Sequence, residues 1–155
     1  MNISILTISD TRNYETDGSG KKLKELCASQ NWTALDYNIV KDEIDSIVTA
    51  LKNMIKNKPA IILTSGGTGI SSRDVTPEAT KKVIDKEVPG IAEAIRSFSI
   101  QKTKNAMLSR GIAGVAENTL IVNLPGSEKA AAEIFPYIYS VLEHSVKMLG
   151  ADYSH

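Results

Sequence analysis

The chain has 155 residues, room for one domain and little more, and 42% of them are apolar against 23% charged, an ordinary globular balance. Its 18 Lys and Arg offset 18 Asp and Glu, so no global cationic surface points to a nucleic acid or a membrane as partner. A single cysteine, Cys27, excludes an intrachain disulfide, and with only two histidines there is no Cys/His cluster of the kind that binds zinc.

Residues 3–8 (ISILTI) read as a buried strand. Residues 23–28 carry the apolar face of a first helix, with Cys27 as a small core residue and Ser19 as the cap. Residues 35–40 form a second, weaker strand. Ile44, Ile47, Val48, Leu51 and Ile55 recur at helical spacing. Residues 60–63 (AIIL) are a third strand. A helix starts at Thr76-Pro77, with Thr76 as N-cap and Pro77 at the first helical position. Ile91, Ala94, Ile95 and Phe98 mark another helix. Residues 109–118 (SRGIAGVAEN) have no clear period and read as a loop. Residues 120–124 (LIVNL) are a strand. Ile134, Ile138, Val141, Leu142 and Leu149 share one face of a last helix, which Ser127 is placed to cap.

Strands alternating with helices predict an α/β domain over residues 1–155, with a largely parallel sheet covered on both faces. No apolar run is long enough to span a bilayer, and the N-terminus lacks the basic and apolar regions of a signal peptide. The cytoplasm is the expected compartment.

Two strands run into glycine-bearing turns. The first is Thr64, Ser65, Gly66, Gly67, Thr68 and Gly69, and the second ends Pro125, Gly126 and Ser127. Glycines let backbone N–H groups come close to an anion, and ligands collect at the carboxyl ends of strands in open α/β sheets. The first loop is not a Walker loop, since no Gly-Lys-Ser/Thr follows, and it lacks the third glycine of the dinucleotide fingerprint. Two such loops on one rim would make a cradle for phosphates or a pterin. A branched residue at Gly67 is expected to obstruct the ligand and spare the fold.

Asp10, Asp42 and Asp74 each follow or adjoin a strand-to-helix junction. Asp42 reads most simply as the N-cap of a helix beginning at Glu43, and Asp74 equally as a solvated loop acid or a site acid. If the loops share a rim, Asp42 and Asp74 could converge, and paired carboxylates suit Mg²⁺ in phosphoryl chemistry. Ser109 and Arg110 offer a hydroxyl and a cation. Arg12, Arg73 and Arg96 are either phosphate partners or solvated surface residues.

Seven segments then form a set: LTISD (6–10), DGSGKKL (17–23), TSGGTG (64–69), RDVTPEA (73–79), PGIAEAIR (89–96), AMLSRGIAG (106–114) and NLPGS (123–127). With these, in this order, the chain resembles the molybdenum-cofactor biosynthesis family of MogA and MoaB proteins over nearly its whole length. The resemblance implies a three-layer αβα sandwich of the molybdopterin-binding fold, assembled as a trimer or, in the B-type branch, a hexamer. It implies adenylylation of molybdopterin: the terminal phosphate of molybdopterin attacks the α-phosphate of ATP, with Mg²⁺, and other cofactor-assembly proteins use the product. By motif, the family's two key aspartates match Asp42 and Asp74, its site hydroxyl Ser109, its glycine loop Ser65–Gly69, its second loop Pro125–Ser127, and its acid after the PG pair Glu93. A molybdopterin carrier without turnover and a nucleotide-pyrophosphate hydrolase are the alternatives.

Overall fold

The computed structural model describes residues 1–150. Six strands form one sheet in the order β2-β1-β3-β6-β5-β4. They are β1 (Asn2–Ile8), β2 (Thr33–Val40), β3 (Ile61–Ser65), β4 (Lys86–Glu87), β5 (Ala113–Ala116) and β6 (Thr119–Leu124). β2, β1, β3 and β6 run parallel; β5 is antiparallel to β6, and β4 to β5. The sheet is therefore mixed and largely parallel. The helices are α1 (Gly18–Ser29), α2 (Ile44–Lys56), α3 (Thr76–Lys81), α4 (Pro89–Ile100) and α5 (Glu128–Gly150), with a 3-10 turn over Lys104–Leu108.

Alternation along the strands sends successive side chains to opposite faces. Ile3 and Ile5 of β1, Ile61 and Leu63 of β3, and Leu120, Val122 and Leu124 of β6 face α1, α4 and α5. Leu6 and Ile8, Ile62, and Ile121 face α2 and α3. Both faces are covered, which is why the central strands are buried along nearly their whole length and mostly apolar. Helices on both faces of a mixed six-stranded sheet make the three-layer sandwich.

Three expectations change. Residues 109–118 are not all loop, since β5 lies within them. Helix α1 is capped by Asp17, whose carboxylate accepts from the Gly20 N–H, while Ser19 lies inside the helix. Helix α3 takes Val75 as its cap residue, so Thr76 is already helical. Ser127 does cap α5: its hydroxyl accepts from the Ala130 N–H at 3.1 Å.

Among the described residues no helix is long and apolar enough to cross a membrane.

Candidate functional site

β3 ends at Ser65, and the chain turns through Gly66 (φ +101°) and Gly67 (φ +67°). Only glycine adopts such angles without cost. A Cβ at Gly66 would overlap the Ile8 carbonyl, and one at Gly67 the Thr76 hydroxyl. The Thr76 hydroxyl in turn donates to the Gly66 carbonyl at 2.9 Å, and its N–H to the Gly67 carbonyl at 3.1 Å. Glycine at position 67 is thus an internal requirement, and a branched residue there strains the loop before any ligand arrives.

The two glycine loops meet. The Gly66 N–H donates to the Leu124 carbonyl at 3.0 Å, and the Ser65 hydroxyl to the Pro125 carbonyl at 3.2 Å. A Cβ on Gly126 would lie 3.2 Å from the Gly66 Cα. Parallel pairing of β3 with β6 makes this unavoidable, because Ser65 and Leu124 are register partners at the strand ends.

Beneath the junction lies a polar network. The carboxylate of Asp17 is fully buried and accepts from the Thr7 hydroxyl at 2.6 Å, the Tyr37 phenol, the Ser19 hydroxyl at 3.3 Å and the Gly20 N–H at 3.0 Å. Burial alone would raise its pKa; the bonds from Thr7, Tyr37, Gly20 and Ser19 outweigh it and hold the carboxyl below the usual range. The Tyr37 phenol is pushed up, first by burial and then by Asp17. The Ser19 and Ser65 hydroxyls share a 2.8 Å bond, which ties this network to the glycine loop.

The acids flank the same loop. α2 begins at Ile44 with Glu43 at the cap position and no side-chain capping bond, so Asp42 is not an N-cap. Its Oδ1 lies 3.1 Å from the position of a Cβ on Gly67, and Asp74 Oδ2 lies 2.8 Å from one on Gly69. Asp74 also accepts from the Ser71 N–H at 2.9 Å. Asp10 is committed elsewhere: it binds Arg73 through Nε at 2.9 Å and Nη2 at 3.1 Å, and accepts from the Asp42 N–H at 3.1 Å. Burial, then repulsion from Asp10 and, more weakly, Asp74, raises the pKa of Asp42. A desolvated carboxylate among other carboxylates favours a bound cation. No group of three or more acids, histidines or cysteines able to hold a metal exists among the described residues. Two acids beside a glycine loop are nevertheless the donor set Mg²⁺ commonly uses, with substrate and water completing its shell.

On the other side of the loop lies a cavity of about 320 Å³, within the small-molecule range. Thr68, Gly69, Ser109, Pro125 and Ser127 line it, five of the residues singled out by sequence. Ile95, Ala106 and Ile134 form apolar wall, and Arg96, Lys102 and Lys129 bring positive charge. Among the described residues, Ser99 Oγ is the one buried side-chain polar atom without a hydrogen-bond partner, and Ser99 lines this cavity. Buried hydroxyls are nearly always satisfied, so this orphan is free to turn toward a ligand's polar atom. Arg110 straps the region together, donating to the Gly69 carbonyl at 2.7 Å and the Asp74 carbonyl at 2.8 Å and pairing with Glu78.

Thr64 and Ser65 are buried under the loop; the Thr64 hydroxyl accepts from Asn123 Nδ2 at 2.9 Å. They shape the cradle and do not line the cavity. Glu93 is exposed on α4 and does not line it either. Ser99, Lys102 and Lys129 were missed by sequence, because single polar residues on helices carry no local signal. A wider groove of about 930 Å³ around Trp32, Lys58 and Glu117 lies at the opposite end of the strands and contains none of these residues.

The comparisons with known proteins agree on one neighbourhood. A family described as "Probable molybdopterin binding domain" matches residues 4–144. The molybdenum cofactor synthesis protein cinnamon of Drosophila melanogaster is 47% identical over 154 residues, 97% of this chain but 26% of that protein, so the chain spans about a quarter of that relative's length. Molybdenum cofactor biosynthesis protein B of Staphylococcus aureus (strain COL) is 40% identical over 131 residues, 82% of this chain and 78% of that one. The crystal structure of the molybdopterin biosynthesis enzyme MoaB from Thermus thermophilus superposes with a TM-score of 0.87 at 40% identity, covering 96% of this chain and 95% of that one.

Proposed function

The chain belongs to the molybdenum cofactor biosynthesis family of molybdopterin-binding domains, and from that premise we propose that it adenylylates molybdopterin with ATP in the cytoplasm, as one domain over residues 1–155. A terminal phosphate oxygen of molybdopterin forms a bond to the α-phosphorus of ATP, the bond from that phosphorus to the bridging oxygen breaks, and pyrophosphate leaves.

The observation that carries this proposal is the division of the loop region into two unlike sides. The side bounded by Thr68, Gly69, Ser109, Pro125 and Ser127 is a partly open, largely apolar cavity suited to a heterocycle. The side bounded by Asp42 and Asp74 is open and acidic. Between them the Gly67–Gly69 backbone offers N–H groups for phosphate. Joining two polyanions requires that their charge be screened and their phosphates aligned. Asp42 and Asp74 would hold Mg²⁺, which when bound neutralises phosphate charge. Ser109 would orient a phosphate from the cavity side. The homo-oligomer, trimer or hexamer, and contact with other cofactor-assembly proteins belong to the same proposal.

Incubation with molybdopterin, ATP and Mg²⁺ tests it: pyrophosphate should appear in amounts equal to adenylyl-molybdopterin. Tight molybdopterin binding without pyrophosphate would replace the enzyme with a carrier.

A further inference from the structure

Four arginines exist in the chain, and the structure sorts them. Arg73 is bound to Asp10, and Arg110 to Glu78 and two carbonyls. Arg96 donates through Nη1 to the Gly111 carbonyl at 2.7 Å and, more weakly, to that of Ser109. Arg12 differs in position. Its Nη1 donates to the Ser19 hydroxyl at 3.0 Å and lies 3.8 Å from the place of a Cβ on Gly126. The guanidinium therefore stands at the point where the two glycine loops touch.

Arg12 is also underemployed. Its Nε and Nη2 have no hydrogen-bond partner among the described residues. Its nearest carboxylate is Asp17 at 3.9 Å, and that group already has Thr7, Tyr37, Ser19 and Gly20 as donors. The side chain keeps a third of its surface open. A planar fork of free donors, tethered at one corner and aimed at a glycine-lined junction, has the geometry of bidentate phosphate recognition. Beside the first loop Asp42 and Asp74 are negative and Arg110 is bound to Glu78 and two carbonyls, so an anion at the junction draws on Arg12 for a cation with free donors.

We propose that Arg12 grips a substrate phosphate at the junction of the two loops, with Ser19 as the tether that orients it. This rests on the assignment of the loops as a cradle for phosphorylated ligands. The phosphate belongs either to ATP or to molybdopterin, and both present the same dianionic oxygens to the fork.

Calorimetric titrations of wild type, Arg12→Gln and Arg12→Lys with Mg²⁺-ATP, inorganic pyrophosphate and molybdopterin test it, with thermal midpoints recorded in parallel. Arg12→Gln should lose about tenfold or more in affinity for one ligand, the size expected for a charged hydrogen bond. Loss for ATP and pyrophosphate assigns the fork to the nucleotide; loss for molybdopterin alone assigns it to the pterin phosphate. Arg12→Lys should recover part of the loss, because an ammonium keeps the charge but cannot fork. If wild type binds its ligands and Arg12→Gln binds all of them equally well, the role of Arg12 is overturned. If wild type binds none of them, the cradle assignment itself fails and the Arg12 role falls with it. Should Arg12→Gln not fold, Arg12→Lys decides alone: undiminished affinity for every ligand overturns the proposal.

Discussion

The hydroxyls of Ser19 and Ser65, 46 residues apart in sequence, meet at 2.8 Å. Through that bond the start of α1 and the glycine loop after β3 are held as one unit. Asp17 lies behind Ser19, and Pro125 of the second loop lies beyond Ser65.

Asp17 is the centre of that unit, so its loss should be felt as stability. Asp17→Ala strips the acceptor from several buried donors and should cost about 3 kcal/mol in urea unfolding. The pH dependence has a definite sign. The folded pKa of Asp17 is lowered, so its stabilisation is present above the unfolded value near 4 and is lost as pH falls through the folded one. Asp17→Asn should therefore flatten the acid limb of the stability curve. An unchanged acid limb would show that the network does not depend on ionised Asp17.

Asp42 should trade stability for activity. Its folded pKa is raised, so protonation favours the fold; that contribution is present below the unfolded pKa and disappears as pH rises through the folded one. Asp42→Asn keeps the neutral form at every pH. Its thermal midpoint should equal or exceed that of wild type at neutral pH, with the gap closing in acid. Single-turnover adenylyl transfer should fall by about a hundredfold or more in Asp42→Asn, and likewise in Asp74→Asn, if each carboxylate supplies a main electrostatic contribution. Wild-type rates in both variants would remove them from catalysis.

Ser99→Ala separates ligand from fold. Its hydroxyl has no partner within the described residues, so deleting it should leave the thermal midpoint unchanged or slightly higher. Affinity for the ligand whose heterocycle fills the cavity should drop severalfold, in line with one neutral hydrogen bond. Fluorescence titration with molybdopterin, and separately with ATP, reads the loss. Full affinity for both would mean that the Ser99 hydroxyl meets neither.

Gly67→Val should fail as a protein before it fails as a binder. The left-handed angle and the overlap with the Thr76 hydroxyl add strain of about 1–3 kcal/mol or more. Chemical denaturation should show that loss without any ligand present. A variant as stable as wild type would contradict the packing around Thr76.

Much of this was legible in the sequence. The runs 3–8, 60–63 and 120–124 became β1, β3 and β6 because central parallel strands are dominated by apolar residues on both faces, and the spacing from Ile44 to Ile55 became α2. The strand in 113–116 was hidden because its residues are small. Gly114 must be small: a Cβ there would lie 2.6 Å from Ile84 Cδ1, so packing removes the bulky residues that signal a strand. Asp42 looked like a cap because a capping acid and a site acid occupy the same sequence position, and only the start of α2 one residue later separates them. The pairing of both loops and Ser109 on one cavity was implied by strand topology, whereas Ser99 and Lys129 reach it through the packing of α4 against α5, which no single segment encodes.

Asn123 gives the cavity a further property. Its amide donates to the hydroxyls of Thr64 at 2.9 Å and Thr80 at 3.0 Å and accepts from the Ile112 N–H at 3.1 Å. With the Arg110 N–H bonded to the Thr68 carbonyl at 2.8 Å and the Ser109 N–H to the Ala106 carbonyl at 3.1 Å, Ser109 is held by its own turn on one side and by the glycine loop and the sheet on the other. An incoming molecule therefore finds Ser109 already in position. No ordering entropy of that stretch is deducted from the contacts it makes, and complex formation should proceed as a docking of two finished shapes, in one kinetic phase that stays linear in ligand concentration.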